Sequence, residues 1–252
     1  REFVLNFSTA PLDPALIVSY TSDLLFLTPR ESALIAQVTN FNELSMTLGR
    51  VSSQDFIALI GSTGYGLRET YRPADERTFT QTLDIPPDQS TPVRIPLALD
   101  GAPLTPGFYY LRFNVEQDFI YGGPYLLVVS EINTTFKLSA TDALVWAVDL
   151  EDGMPIEGAP VKIYDEDGRL LVEGRTGEDG VFKSEIPVRE KVYSLVSVIL
   201  GEPGDENFSA AFTSWNRGMS GGSFGYRINY SPPRLEAYLY TDRPIYRPGQ
   251  TV

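Results

Sequence analysis

The chain has 252 residues, of which 42% are hydrophobic, and a formal net charge of −13 at pH 7. This length is enough for two domains with cores of their own, and the longest apolar runs, such as residues 125–129, have the length of a strand rather than of a membrane span. The acidic balance argues against a nucleic acid or an anionic membrane surface as the partner, because a phosphate backbone needs a basic surface.

Cysteine and histidine are both absent from the sequence. The lack of cysteine excludes disulfides, thiolate metal sites and a cysteine nucleophile, and the lack of histidine removes the commonest general base and transition-metal ligand. An enzyme built from this chain would have to work with carboxylates, lysine, tyrosine or serine alone. We therefore predict that the chain is not an enzyme and acts on no small-molecule substrate.

The first half of the chain predicts short β-strands, because segments rich in β-branched and aromatic residues alternate with clusters of Pro, Gly, Asp and Asn. The predicted strands are residues 32–39, 78–83, 107–115 and 124–130. Only residues 52–60 have a helical pattern. Ser52 and Asp55 have the spacing of a capping box, and three apolar residues after them share one face, so we expect about two helical turns there.

A break at residues 130–133 separates this series from a second one. The second series of predicted strands comprises residues 135–139, 144–148, 160–164, 170–173, 181–184 and 192–199. Residues 214–235 are rich in glycine and predict a loop or linker, since glycine raises the entropic cost of ordering. The sequence thus predicts an all-β fold of tandem antiparallel β-sandwiches, of the immunoglobulin or fibronectin type III kind, with at most one short helix. We place the first two domains at residues 1–131 and 132–235.

Two acidic turns could be taken for calcium sites, namely Asp-Glu-Asp-Gly at 165–168 and Glu-Asp-Gly at 178–180. An EF-hand loop that begins at Asp165 needs a glutamate at its twelfth position, and Thr176 stands there. Asp-Gly pairs also supply the positive φ that tight hairpin turns require. The sequence therefore predicts hairpin turns at both places.

The remaining candidate motifs have simpler interpretations. Residues 218–225 are glycine-rich but lack the lysine of a P-loop, so they predict a mobile loop. Acidic clusters at 149–152 and 202–206 predict solvated turns rather than the paired carboxylates of a glycoside hydrolase. Trp146 could stack on a sugar, but it lies in an alternating strand and is predicted to be in the core, whereas Trp215 could be either. We assign no catalytic, metal or cofactor-binding residue.

Four Asn-x-Ser/Thr sequons are potential glycosylation sites if the source glycosylates secreted proteins. They begin at Asn6, Asn133, Asn207 and Asn229. Asn207 falls inside a predicted strand, which argues against its use. In a bacterial protein all four would be coincidental.

Three segments resemble a known family when they are taken together. Residues 144–164 and 174–182 (Gly-Arg-Thr-Gly-Glu-Asp-Gly-Val-Phe) resemble the domain that precedes the signature Tyr-Thr-Asp-Arg-Pro-Ile-Tyr-Arg-Pro-Gly in bacterial alpha-2-macroglobulins, and that signature stands at 240–249. The family contains large protease-trapping proteins built from macroglobulin-like β-sandwich domains. The resemblance implies that residues 236–252 begin a third, truncated domain, so we expect the chain to be part of a longer protein.

The resemblance implies a scaffold function for this chain in a broad-spectrum endopeptidase inhibitor. The bait segment and any Cys-x-Glu-Gln thioester would lie outside the chain, and the implied partners are proteases, through the longer parent, and neighbouring macroglobulin-like domains. The implied location is extracytoplasmic, in the periplasm, on the cell surface or secreted. Residues 238–252 are expected to leave the second domain in extended form and pack on a neighbouring surface, or to be poorly ordered. The alternative function is a cell-surface adhesion or carbohydrate-binding module.

Overall fold

The computed structural model describes residue 5 and residues 9–20, 22–188 and 194–213, and the structural statements below refer to these residues. Strands form most of the regular structure. The elements are β1 (Ala15–Val18), β2 (Leu24–Leu27), β3 (Ala33–Thr39), β4 (Glu43–Val51), α1 (Ser53–Ile60), α2 (Gly64–Arg68), β5 (Arg77–Thr82), β6 (Thr91–Pro96), β7 (Ala98–Leu99), β8 (Ala102–Pro103), β9 (Gly107–Phe113), a 3-10 turn (Gln117–Phe119), β10 (Ile120–Tyr121), β11 (Tyr125–Val129), β12 (Ile132–Leu138), β13 (Asp142–Asp149), β14 (Pro160–Tyr164), β15 (Leu170–Arg175), β16 (Val181–Glu185), β17 (Ser197–Leu200) and β18 (Ser209–Phe212).

The first sandwich packs a four-stranded sheet, in the order β10-β1-β3-β6, against a five-stranded sheet, in the order β2-β11-β9-β4-β5. Alternate residues of both sheets point inward and form one core, in which Leu34, Met46 and Leu127 are fully buried. The pairings of β1 with β10 and of β2 with β11 are parallel, whereas the sequence predicted antiparallel sheets throughout. A parallel pair needs partners distant in sequence, and no local pattern predicts such a pair.

The second sandwich packs the sheet β12-β13-β16 against the sheet β15-β14-β17-β18. Its core includes Val145, Val161 and Val198, all completely buried. The predicted fold class, all-β with tandem sandwiches, is confirmed. The second series begins with Ile132, three residues earlier than the pattern predicted. The division into domains at 131 and 235 stays a prediction.

The helices differ in one respect from the prediction of at most one short helix. The predicted helix is present as α1, and the hydroxyl of Ser52 caps it by accepting a hydrogen bond from the amide of Asp55 at 3.1 Å. A second helix, α2, and the 3-10 turn were not predicted. The sequence of α2 contains two glycines and no helical period, so tertiary contacts must hold it. Arg68 at its end donates from Nε to the carbonyl of Leu59 at 2.8 Å, and its own carbonyl accepts from the hydroxyl of Tyr110 at 2.8 Å.

The prediction that Trp146 lies in the core is wrong. Its side chain is 45% exposed, on the outer face of the sheet that contains β13. The inner face of the same strand is lined by Ala143, Val145 and Ala147, all buried. Both faces of β13 are apolar, so alternation alone could not decide which one packs inward.

The two acidic turns have different connections. Residues 165–168 join the paired strands β14 and β15, with Gly168 at a φ of 75°, so the predicted hairpin is confirmed. Residues 178–180 also form a tight turn, with Gly180 at a φ of 72°, but they join β15 to β16, which belong to different sheets. The prediction of a second hairpin is therefore wrong, because sequence shows the turn but not the sheet that the next strand joins.

Asn207 lies in an exposed turn just before β18 and not in a strand as predicted, whereas Asn133 is an exposed residue of β12. Several other predictions fall on residues outside those described. They concern Asn6, Val192, Trp215, Asn229 and the segments 214–235, 218–225 and 236–252. Within the described ranges, no helix has the length and apolar content needed to cross a membrane.

Candidate functional site: the junction between the two sandwiches

The five-stranded sheet of the first sandwich is buried on both faces. In β9, Phe108 and Tyr110 point away from the core of the first sandwich, yet they are 1% and 0% exposed. In β11, Leu126 and Val128 point the same way and are completely buried. Helix α1 and the outer face of the sheet β15-β14-β17-β18 cover these four residues. The two sandwiches are therefore joined by a third apolar cluster, which we call the junction.

Four phenylalanine rings form the centre of the junction. Phe56 of α1 stacks on Phe108 of the first sandwich, with ring centroids 4.0 Å apart and planes 20° apart. Phe208 of the second sandwich meets the ring of Phe108 edge-on at 4.8 Å. Phe212, also of the second sandwich, lies 5.7 Å from Phe56. Stacked and edge-to-face pairs of this kind add about 0.5–1.5 kcal/mol each beyond the area that they bury.

Helix α1 fills the space beside these rings because its apolar residues share one face. Phe56, Ile57 and Leu59 are buried, and the polar residues at 54 and 55 face solvent. The cap at Ser52 fixes where the helix begins and satisfies one of its free amides. The position of Phe56 in the junction thus depends on a cap that the sequence predicted.

Polar contacts surround the apolar centre on the first-sandwich side. The hydroxyl of Tyr71 donates to Asp55 Oδ2 at 3.1 Å, and its ring meets that of Tyr110 at 5.6 Å. Burial, reinforced by the negative charge of Asp55, raises the pKa of Tyr71 to about 12. Burial lowers the pKa of Arg68. The carboxylate of Asp23, 3.9 Å from the guanidinium, opposes this decrease.

Two further contacts cross between the sandwiches at the surface. Arg30 of the first sandwich pairs with Glu131 at 3.1 Å and with Glu151 of the second sandwich at 2.7 Å. The amide of Gly204 donates to the carbonyl of Pro106 at 2.8 Å. Exposed ion pairs contribute little to stability, so the rings and not Arg30 hold the junction together.

The acidic clusters considered in the sequence lie in turns, as predicted, except that Asp149 is the last residue of β13. Asp149 Oδ1 accepts from the amide of Glu151 at 2.7 Å, and Asp152 Oδ1 accepts from that of Met154 at 2.8 Å. Glu202 accepts a hydrogen bond from Lys162 at 2.6 Å. In the part of the chain that the structure describes, no three acidic residues converge on a point where they could hold a metal ion. The assignment of no catalytic, metal or cofactor residue stays a prediction.

The sequence reasoning did not find the junction, although a signal for it exists. Strand β11 is the uninterrupted apolar run Tyr-Leu-Leu-Val-Val, and every residue of it is buried. Strands of one-sided sheets alternate between apolar and polar residues, whereas strands buried on both faces are apolar throughout. The composition of β9 and β11 therefore indicates that something covers the outer face of their sheet, but it does not identify the cover.

No protein-family model matches the chain. Among curated proteins, it is 30% identical over 132 residues to the alpha-2-macroglobulin of Ralstonia nicotianae, a match that covers 52% of this chain and 7% of that protein. It is 27% identical over 135 residues to the alpha-2-macroglobulin of Pasteurella multocida, with 50% of this chain and 7% of that protein covered. The matched part of the chain is thus a small piece of these relatives.

Solved structures give a likeness over more of the chain. One is native alpha-2-macroglobulin from Escherichia coli spanning the domains NIE-MG1, with a TM-score of 0.59 at 18% identity over 79% of this chain and 96% of that one. Another spans MG0-NIE-MG1 of the same protein, with a TM-score of 0.59 at 17% identity over 81% of this chain and 66% of that one. A mutant of Salmonella alpha-2-macroglobulin has a TM-score of 0.57 at 15% identity over 81% of this chain and 12% of that one. At these identities the likeness shows the fold alone. The chain resembles the bacterial alpha-2-macroglobulins in sequence over about half its length and in fold over most of it, which confirms the resemblance that its motifs indicated.

Proposed function

We propose that the chain provides scaffold domains of a longer, alpha-2-macroglobulin-like inhibitor that traps endopeptidases of many specificities. The observation that supports this most is the sequence similarity to two curated alpha-2-macroglobulins together with the two-sandwich fold found in the NIE-MG1 structure. In this proposal, residues 1–131 and 132–235 form macroglobulin-like sandwiches, and residues 236–252 begin a third. The longer protein acts outside the cytoplasm, and its neighbouring macroglobulin-like domains and target proteases are the partners.

The junction fits a mechanical role. A protein that traps a protease by changing shape needs domains that keep their own geometry while others move. Two sandwiches joined through an apolar core resist separation more strongly than two sandwiches joined by a flexible linker, because opening the junction would expose the rings of Phe56, Phe108 and Phe208 to water. The proposed role needs no catalytic group in this chain, and the inhibitory segments would lie elsewhere in the longer protein.

Inhibition assays with the longer protein test this proposal. The full-length polypeptide that contains this chain is incubated with endopeptidases of different specificities, and the cleavage of a protein substrate is then followed. We expect inhibition of several of these proteases. The 252-residue chain alone serves as the control and is expected to inhibit none. A full-length protein that leaves all of the proteases active would refute the proposal.

One observation favours the alternative function. Trp146 is 45% exposed on the outer face of its sheet, and an exposed aromatic ring is what sugar stacking requires. Binding of the chain to a glycan array, lost in Trp146→Ala and kept in the control Leu170→Ala, would support a carbohydrate-binding module. Leu170 is a suitable control because it is 48% exposed in β15, on the other sheet of the same sandwich. Absence of glycan binding, together with protease trapping by the full-length protein, would exclude this alternative.

A further inference from the structure

The linker between the sandwiches consists of only two residues. Strand β11 ends at Val129 and β12 begins at Ile132, so Ser130 and Glu131 alone connect the two folds. Ser130 is completely buried, and Ile132 is 2% exposed with its side chain in the core of the second sandwich. A linker that acts as a hinge is normally exposed and rich in small or polar residues with few contacts. This linker is also polar, but Ser130 is buried and both of its residues make defined contacts.

The hydroxyl of Ser130 binds the linker to the second sandwich. It donates a hydrogen bond to the carbonyl of Phe208 in the second sandwich at 2.7 Å, and it accepts one from the amide of Ile132 at 2.9 Å. Phe208 is also the residue whose ring meets Phe108 edge-on. The same hydroxyl therefore fixes both the course of the linker and the backbone that presents a central ring of the junction.

Two more hydroxyls extend this arrangement. Ser209, which is completely buried, donates to the carbonyl of Ile132 at 2.9 Å, and Thr134 donates to the hydroxyl of Ser209 at 2.9 Å. The amide of Ser130 donates to the carbonyl of Leu27 at 3.0 Å, and the carbonyl of Glu131 accepts from the amide of Leu150 at 2.9 Å. Backbone groups of the linker thus have fixed partners on both sides, and a rotation at 130–132 would break several buried hydrogen bonds at once.

We propose that the hydroxyl of Ser130 is a latch that locks the linker, so that the two sandwiches move as one rigid body and not about a hinge. The latch and the apolar junction act together. Apolar packing of the rings holds the sandwiches together but is not directional. The hydroxyls select one orientation of the two sandwiches, because hydrogen bonds require a defined geometry. This inference concerns the motion of the described residues and does not depend on what the longer protein inhibits.

Distances between spin labels test the latch directly. The chain contains no cysteine, so Arg94→Cys in β6 and Lys183→Cys in β16 provide two unique labelling sites, both exposed and each in the sheet that lies away from the junction. We expect one narrow distance distribution for the labelled chain. The additional change Ser130→Ala is expected to broaden it roughly twofold and to speed amide exchange at Ile132 by about tenfold or more, since that amide loses its acceptor.

Ser32→Ala is the matched control. The hydroxyl of Ser32, which is 8% exposed, donates to the carbonyl of Thr28 at 3.0 Å within the first sandwich, so its loss should leave the distance distribution unchanged. If Ser130→Ala does not fold, amide exchange in the unchanged chain takes its place, because the amide of Ile132 donates to the hydroxyl of Ser130 at 2.9 Å and should be strongly protected. Exchange of that amide as fast as in an exposed loop would then overturn the proposal. A broad distribution in the starting chain, or a distribution that stays narrow in the folded latch variant, would overturn the proposal.

Discussion

Removing the ring of Phe208 should weaken both sandwiches, although the residue belongs to the second one. The side chain is completely buried and packs edge-on against Phe108 at 4.8 Å. Truncation of a buried phenylalanine to alanine costs about 3–5 kcal/mol. For a folded unit of about 200 residues, each kcal/mol shifts the melting temperature by about 2–4 °C, so Phe208→Ala should lower it by roughly 6–20 °C.

The assay for this prediction is thermal unfolding combined with amide exchange. The cavity left by Phe208→Ala borders β9, so exchange should become faster in β9 and β11 of the first sandwich as well as in β18. Phe182→Ala is the control, because Phe182 is 8% exposed in the core of the second sandwich alone. That change should speed exchange only in the second sandwich. A loss of less than about 1 kcal/mol for Phe208→Ala, or exchange that changes only beyond residue 131, would refute the shared core.

Three smaller predictions concern local structure. Ser52→Ala removes the cap of α1 and should lower the free energy of unfolding by about 1 kcal/mol in denaturant titrations, whereas an unchanged midpoint would show that the cap contributes nothing. Gly180→Ala and Gly153→Ala both place alanine at a φ of 72°, but only the methyl group at 180 would clash with the carbonyl oxygen of Ala147. Gly180→Ala should therefore be the more destabilising by about 1–3 kcal/mol, and equal losses would contradict this. The raised pKa of Tyr71, about 12 against an ordinary 10.0, means that the folded chain keeps a proton that the unfolded chain releases. This contribution to stability is complete below about pH 10 and is lost as the pH rises towards 12. The Tyr71→Phe variant should therefore lose less stability than the unchanged chain between about pH 9 and pH 11. Equal losses in the two proteins would contradict the raised pKa of Tyr71.

Local patterns predicted the fold well wherever a single strand, turn or helix decides the structure. Residues 160–164 form a strand with the predicted limits, and Ser52 caps the predicted helix. These features depend on residues close in sequence, through the alternation of side chains, turn chemistry and capping. The parallel pairing of β2 with β11 connects residues about a hundred positions apart, so no local pattern could indicate it.

The error at Trp146 and the missed junction have a common cause. Alternation shows that a strand has two faces, but the packing of the whole sheet decides which of them is covered. In β13 the smaller residues pack inward and the largest one faces outward. In β9 and β11 both faces are covered, the second of them by a different sandwich. The apolar composition of such strands predicts burial on both faces, and the partner becomes known only from the structure.

The proposed function is tested most directly by the residual activity of an endopeptidase of broad specificity on a protein substrate. The protease is titrated in parallel with the full-length polypeptide that contains this chain and with the 252-residue chain alone. We predict that the full-length protein removes the activity in proportion to the amount added and that the chain alone leaves it unchanged. Full activity in the presence of excess full-length protein, or inhibition by the chain alone, would contradict a scaffold function.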